Sequence, residues 1–176
     1  MPNPVYRAVW LSLRLGLLGL IGSSTVMLSP IGATADEPSI LILPAGEVRA
    51  RDGDDLRAGK VRVRLWGIDA PELDQTCQRN SESWKCGESA RLALQAMVAG
   101  KQVTCAIMDV AGRSGRLVGD CRVGSKSLND AMVRSGNAVA FRKYSMSYTA
   151  AEDEAKRDGR GIWSGAFMMP WDWRHR

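Results

Sequence analysis

Charged side chains cluster where an apolar segment ends, in the stretch "VRVRLWGIDAPELDQTC". Arg64 lies within the apolar run, and Asp69 and Glu72 follow it around Pro71. Hydrolysis of a phosphodiester needs cations that bind the phosphoryl oxygens and a carboxylate that orients or deprotonates a water molecule. The spacing therefore makes Arg64 a candidate phosphate ligand and Glu72 a candidate for activating water.

A third acidic residue, Asp54, follows the tight turn "DG" just upstream. If the two segments form a hairpin, the carboxylates of Asp54 and Asp69 meet at one end of a sheet. Two carboxylates at one point repel each other, and a shared proton or a hard cation relieves the repulsion. Taken alone, "DGDD" more often marks an ordinary turn than a metal ligand, so both interpretations stay open.

Arg116 is the third candidate, in the segment "GRSGRLVGD". The preceding Gly115 would let the backbone approach a ligand closely. The alternative for Arg64 and Arg116 is that each is paired with a carboxylate for structural reasons. Schemes based on histidine are disfavoured, because His175 is the sole histidine and lies at the end of the chain.

The elements that must position these residues follow from periodicity and turn signals. Val61, Val63 and Leu65 alternate onto one face of a strand, and apolar strands also precede it. Helical spacing predicts helices over 87–101, 127–137 and 149–161, the second of them with Ser127 as its N-cap. Two further strands lie between the first two helices. This order predicts an α+β domain built on a small five-stranded Greek-key β-barrel.

The first 35 residues have the features of an export signal. Arg7 and Arg14 precede an apolar run over 15–28, and "ATA" provides a small-x-small cleavage site after Ala35. We therefore expect cleavage of residues 1–35 and a single domain over 36–176, although an uncleaved anchor is the alternative. Loss of the two arginines, in a segment without Asp or Glu, lowers the formal net charge from +5 to +3. A charge of this size permits a polyanionic partner without requiring one.

Export makes disulfides the expected state of the four cysteines. Three pairings are possible, and proximity favours Cys77–Cys86 and Cys105–Cys121, the second across neighbouring strands. Each bridge would stabilise the fold by about 2–4 kcal/mol. A zinc site is the alternative, but Cys77 and Cys86 lie nine residues apart and His175 is remote in the chain.

Four segments, "DGD", "VRLWGIDAPE", "SGRLVG" and "GIW", resemble in this order the staphylococcal nuclease (thermonuclease) family, and in particular its exported bacterial members. The resemblance runs from about Val48 to Trp163. It implies an OB-type barrel with about three helices. It also implies a calcium-dependent endonuclease that cuts DNA, and RNA in addition, and leaves 3′-phosphate ends.

Carried over residue by residue, the resemblance implies a metal site and a catalytic site. The Ca²⁺ ligands would be two carboxylates and one main-chain carbonyl: Asp54, Asp69 and Ala70. Glu72 would act on the attacking water, while Arg64 and Arg116 would bind the phosphate. We expect a monomer that is secreted or periplasmic and does not stay on a membrane once its signal is removed.

Three positions depart from the family pattern. Asp55 replaces a threonine and is expected to add negative charge beside the metal. Ala70 also replaces a threonine, which is harmless if only its carbonyl binds. Ser114 replaces an aromatic residue and so removes a stacking surface. Near the chain end, we expect Trp171 and Trp173 to pack on the barrel.

The alternative function is a non-catalytic OB module that binds nucleic acid, or an envelope protein that keeps the fold. Such modules line a basic groove with aromatic side chains. In this chain acidic residues gather where a phosphate would lie, and without a metal they would repel it. Metal-dependent cleavage would distinguish the enzyme from both alternatives.

Overall fold

The computed structural model describes residues 37–112 and 115–176. The predicted export signal, residues 1–35, and the substituted position Ser114 lie outside these residues. In the described part of the chain, the helices are α1 (Cys86–Val98), α2 (Leu128–Arg134), α3 (Thr149–Arg157), a 3₁₀ turn (Gly161–Ser164) and α4 (Pro170–Trp173). The strands are β1 (Ile40–Leu43), β2 (Arg49–Ala50), β3 (Asp55–Ala58), β4 (Val61–Leu65), β5 (Ile68–Asp69), β6 (Cys77–Arg79), β7 (Glu82–Trp84), β8 (Val103–Ala111), β9 (Arg116–Val123), β10 (Lys126–Ser127) and β11 (Val139–Ala140).

The main sheet has the strand order β1-β8-β9-β4-β3-β2, with β10 added beside β9. Its pairs are antiparallel apart from the parallel pair β4 and β9. The two end strands, β1 and β2, are consecutive in the chain, so the turn between them brings both ends of the sheet together. This is the predicted α+β architecture of OB type.

Among the described residues, the main sheet has seven strands where five were predicted, for local reasons. Pro44 has no N–H to continue a ladder, and a turn follows it in which Glu47 N donates to Pro44 O at 3.3 Å and Gly46 has a φ of 82°. The first barrel strand is therefore split into β1 and β2. The two-residue strand β10 adds one more.

Alternation along β4 follows the prediction from its second residue onward. Val63 and Leu65 are buried, while Arg62 and Arg64 on the other face are half-buried. Val61 is 38% exposed, because it begins the strand directly after the turn at Gly59. The strand thus carries Arg64 out of the barrel core at the end where the chain turns towards β5.

The three predicted helices are present with small shifts at their ends. Ala90, Leu94 and Val98 of α1 are buried in the barrel core, as their spacing indicates. Ser127 is the N-cap of α2, and its Oγ accepts a hydrogen bond from Asp130 N at 3.2 Å. Helix α4 was not predicted, because a single turn is too short to show helical periodicity.

Both predicted disulfides form, with S–S distances of 2.00 Å for Cys77–Cys86 and 2.07 Å for Cys105–Cys121. Cys105 and Cys121 lie directly opposite each other on β8 and β9. The Cys77–Cys86 bridge lies in a second, smaller core, where the half-buried Trp163 also packs. Among the described residues, no helix has the length and apolar character needed to cross a membrane.

Candidate active site

A cleft of about 750 Å³ opens where β4 ends and β5 begins. Five of the six predicted site residues line it: Asp54, Arg64, Ala70, Glu72 and Arg116. The sixth, Asp69, is fully buried and contacts Arg64. The structure therefore brings together residues that are up to 62 positions apart in the sequence.

Arg64 is the central cation of this cleft. Its Nη2 lies 2.8 Å from Asp54 Oδ2 and 2.6 Å from Asp69 Oδ1, so both carboxylates surround one nitrogen atom. The strand ladder explains the approach of Asp54, because Leu65 N donates to Asp54 O at 2.8 Å. Burial alone would lower the pKa of Arg64, but the charges of Asp54 and Asp69 outweigh it and raise that pKa. The guanidinium is held as a cation.

The turn before Asp54 must approach β5 very closely. A Cβ at Gly53 would lie 2.6 Å from Ala70 Cβ and 2.8 Å from Ala90 Cβ, so only glycine fits. The close approach lets Ala70 N donate to Asp54 Oδ2 at 3.2 Å. The central residue of "DGD" thus has a packing role that places the following carboxylate beside Ala70.

Asp54 is 4% exposed, and its pKa is raised well above its usual range. Burial is the main cause, Arg64 opposes it, and the carboxylates of Asp52 and Asp69 add to it. A carboxyl with a raised pKa in the folded state costs stability wherever it must ionise, which is at pH values above its unfolded pKa.

We therefore expect Asp54→Asn to raise the free energy of unfolding at pH 8 by on the order of 1 kcal/mol. Arg64 keeps its ion pair with Asp69 in this variant. The gain should shrink as the pH falls towards the usual Asp pKa of about 3.9, because the carboxyl is then protonated in both states. Urea unfolding in a chelating buffer measures both values.

The exposed carboxylate of Glu47 offers a control, since Glu47→Gln should leave the free energy of unfolding nearly unchanged. A lower stability of Asp54→Asn at pH 8 would show that the ion pair with Arg64 outweighs the cost of burial.

Glu72 is positioned by a residue that the sequence analysis did not identify, Gln75. Glu72 N donates to Gln75 Oε1 at 3.1 Å, and Gln75 N donates back to Glu72 O at 2.8 Å. Gln75 is fully buried, and its Nε2 also donates to Met168 O at 2.7 Å. A buried glutamine beside "APEL" had no distinctive spacing that could have identified it.

Arg174 is the second residue that the sequence analysis missed. Its Nη2 lies 2.8 Å from Asp69 Oδ2, and its Nη1 lies 3.1 Å from Asp69 Oδ1 and 2.5 Å from Glu72 Oε1. Hydrogen bonding to Asp69, followed by that to Glu72, raises the pKa of Arg174 against the effect of burial. The only available signal was the basic, tryptophan-rich chain end "PWDWRHR".

The carboxylate of Asp55 is paired with two arginines. Its Oδ2 lies 2.8 Å from Arg62 Nη2 and 3.3 Å from Arg116 Nη1, and its side chain is 1% exposed. The charge of Asp55, the first residue of β3, is thus neutralised by two guanidinium groups. Arg116 therefore has a carboxylate partner, which agrees with the alternative that this arginine forms a structural ion pair.

Aromatic side chains form one wall of the cleft. The ring of Trp171 stacks on Phe141 at 5.4 Å, and Tyr144 meets Phe141 edge-on at 5.0 Å and Trp66 at 5.7 Å. Trp171 thus lines the cleft. Trp173 is half-buried, and its Nε1 donates to Asp74 Oδ1 at 3.1 Å.

The donor set at the centre of the cleft fits a hard divalent cation. Asp54 Oδ2 and Asp69 Oδ1 both lie within 2.8 Å of Arg64 Nη2, so the two carboxylates converge, and carboxylate oxygens are the ligands that Ca²⁺ prefers. Within residues 37–112 and 115–176, no group of three or more His, Cys, Asp or Glu side chains is arranged to hold a metal ion. The remaining ligands would therefore be main-chain carbonyls and water.

Comparison with known proteins points to one family. The model of the family described as staphylococcal nuclease homologue matches residues 62–165. A "Probable staphylococcal-like nuclease CAN2" of Oryza sativa subsp. japonica is 35% identical over 124 residues, which are 69% of this chain and 31% of that protein. The chain thus spans about a third of the length of this relative.

Two bacterial relatives are covered more fully. The "Succinoglycan biosynthesis protein ExoI" of Rhizobium meliloti (strain 1021) is 32% identical over 149 residues, which are 83% of this chain and 74% of that protein. An "Uncharacterized endonuclease" of Escherichia coli O157:H7 is 34% identical over 137 residues, which are 73% of this chain and 83% of that protein.

Proposed function

Because this chain belongs to the staphylococcal nuclease family, we propose that it is an exported, calcium-dependent endonuclease that hydrolyses phosphodiester bonds of DNA, with RNA as a second substrate. The observation that carries the proposal is the convergence of Arg64, Asp54, Asp69 and Glu72 in one cleft. A basic binding module would have no need of three carboxylates at the place where the phosphate lies.

The calcium ligands in this proposal are the carboxylates of Asp54 and Asp69 and the main-chain carbonyl of Ala70. When bound, the ion supplies positive charge to a phosphoryl oxygen. The close packing of Gly53 against Ala70 supports this assignment, because it holds the turn that carries Asp54 beside the residue after Asp69.

Glu72 is the residue proposed to act on water. Its side chain is 32% exposed, so it reaches solvent in the cleft, while Gln75 holds its backbone. It orients the water and accepts its proton as the oxygen attacks phosphorus. The new bond forms between the water oxygen and phosphorus, and the bond from phosphorus to the 5′ oxygen breaks. The 5′ oxygen takes up a proton, and the phosphate stays on the 3′ end.

Arg64 and Arg116 are proposed to bind the two non-bridging oxygens. Their side chains are 22% and 28% exposed, so the guanidinium groups lie at the wall of the cleft. Negative charge grows on these oxygens as the water attacks, and planar two-point contacts then gain most. The carboxylate partners seen in the structure hold the two cations in place before substrate arrives.

The aromatic wall is proposed to bind unpaired nucleotides. Phe141, Tyr144 and Trp171 offer ring faces next to the catalytic carboxylates, and bases stack on such rings in single-strand binding sites. Denatured DNA is therefore the better substrate for a first assay.

Export is proposed on two grounds. Residues 1–35 have the pattern of a cleaved signal. The two disulfides are typical of proteins that fold in an oxidising compartment, such as the periplasm or the exterior. The intact mass of the exported protein should correspond to a chain that begins at Asp36.

Release of acid-soluble fragments from denatured DNA tests the proposed activity. We expect purified protein to release fragments in the presence of calcium, and we expect the release to stop when a chelator is added. End-group analysis of the fragments should find 3′-phosphates. Cleavage that survives chelation would contradict the calcium requirement. Binding of DNA without any cleavage would favour the non-catalytic OB module.

A further inference from the structure

The C-terminal helix α4 is firmly docked beside the cleft. Pro170 is buried at its first position, and Trp171 stacks on Phe141. The segment before the helix and the last residue of the helix are also held by hydrogen bonds, since Gln75 Nε2 donates to Met168 O and Trp173 Nε1 donates to Asp74 Oδ1. Arg174 follows directly, so its position in the cleft results from a packed segment.

The guanidinium of Arg174 covers the two carboxylates that the proposed reaction needs most. It contacts both oxygens of Asp69 and one oxygen of Glu72. A cation bound to Asp69 would lie about 2.3–2.6 Å from a carboxylate oxygen that now faces Arg174. Arg64 and Arg174 already share Asp69 Oδ1, so a further positive group on this carboxylate requires one guanidinium to withdraw, and Arg174 is the more exposed of the two. Its side chain is 33% exposed and can do so.

We propose that Arg174 is an active-site residue that sets the affinity for the divalent cation, by occupying Asp69 and Glu72 when no cation is bound. The inference rests on the calcium site of the proposed function. The charges support it, because Asp54, Asp69 and Glu72 face two cations, Arg64 and Arg174. Removal of Arg174 leaves two uncompensated negative charges in place of one for a divalent ion.

Calorimetric titration of the metal-free protein with calcium chloride tests the inference without measuring catalysis. We expect Arg174→Ala to bind calcium at least about tenfold more tightly than the wild type. The reason is that the calcium-free protein no longer gains the charge-assisted contacts between the partly exposed guanidinium of Arg174 and its carboxylates. Arg174→Lys should lie between this variant and the wild type, because it keeps the charge but not the two-point contact. Circular dichroism should confirm that both variants are folded.

Arg176→Ala is the matched control. It removes the same charge from the same chain end, but Arg176 pairs with Asp74 at 3.1 Å, outside the acidic centre. Its calcium affinity should stay within about twofold of the wild type, because exposed charges at a distance are screened by salt. Asp69→Asn identifies the site, since it should abolish the binding that the other variants modify.

The outcomes separate the inference from the proposed function. Equal affinities of the wild type and Arg174→Ala would overturn the inference and leave the calcium site standing. Weaker binding by Arg174→Ala would also overturn it and would show that Arg174 supports the metal ligands. If no protein shows calcium binding that depends on Asp69, the calcium site is wrong and the inference falls with it.

Discussion

Glu72→Gln is expected to lower the rate of DNA cleavage by about 10²–10⁴-fold while leaving the KM for DNA nearly unchanged. Glutamine keeps the size of the side chain and can still meet the guanidinium of Arg174, but it cannot accept the proton of the attacking water. The backbone contacts to Gln75 do not involve the carboxylate, so the loop should keep its position. Initial rates on denatured DNA with saturating calcium measure the effect.

Glu88→Gln is the matched control for this variant. Glu88 has a side chain 39% exposed and paired with an arginine, Arg91, at 2.7 Å, but it lies on α1 and does not line the cleft. The same chemical change there should leave the cleavage rate within about twofold of the wild type. If Glu72→Gln retained full activity, another group would have to act on the water.

Gly87→Ala is expected to lower the free energy of unfolding by about 3 kcal/mol. A Cβ at this position would lie 1.7 Å from Glu72 O and 2.6 Å from Glu72 C, and backbone atoms cannot turn aside as the end of a flexible side chain can. The neighbouring Cys86 is bridged to Cys77, and Gly87 N donates to Gln75 O at 3.2 Å, so both partners in the clash are tethered. Urea unfolding measures the loss.

Leu92→Ala on the same helix serves as the comparison, because Leu92 is 52% exposed and its loss should change stability by less than about 0.5 kcal/mol. Gly87→Ala should also reduce cleavage, since any relief of the clash moves Glu72. If Gly87→Ala left the free energy of unfolding unchanged, α1 would have to be able to shift away from the Glu72 loop without a loss of stability.

Much of the fold was predictable because its signals are local. The alternation of β4, the N-cap Ser127 and the spacing of Ala90, Leu94 and Val98 each depend on neighbours within one or two turns. The disulfides were predictable because each pair is close in the chain. The short helix α4 was not predicted, since a single turn has no repeating pattern.

The sequence by itself determined that one cationic and two anionic side chains lie close together. Arg64 lies near the end of β4, Asp69 ends β5 and Glu72 follows in the next loop, so this short segment keeps the three residues close together. Asp54 and Arg116 were candidates from their residue types and turns, and family resemblance added Ala70, but the contacts of these residues could not be derived from their positions.

Only the tertiary structure decided which partner each charge meets. The carboxylate of Asp55 meets Arg62 and also Arg116, which is 61 positions away. Arg174 reaches Asp69 across 105 positions because Pro170 and Trp171 dock α4 beside the cleft. Such contacts depend on packing between distant elements, and residue type and spacing carry no information about that packing.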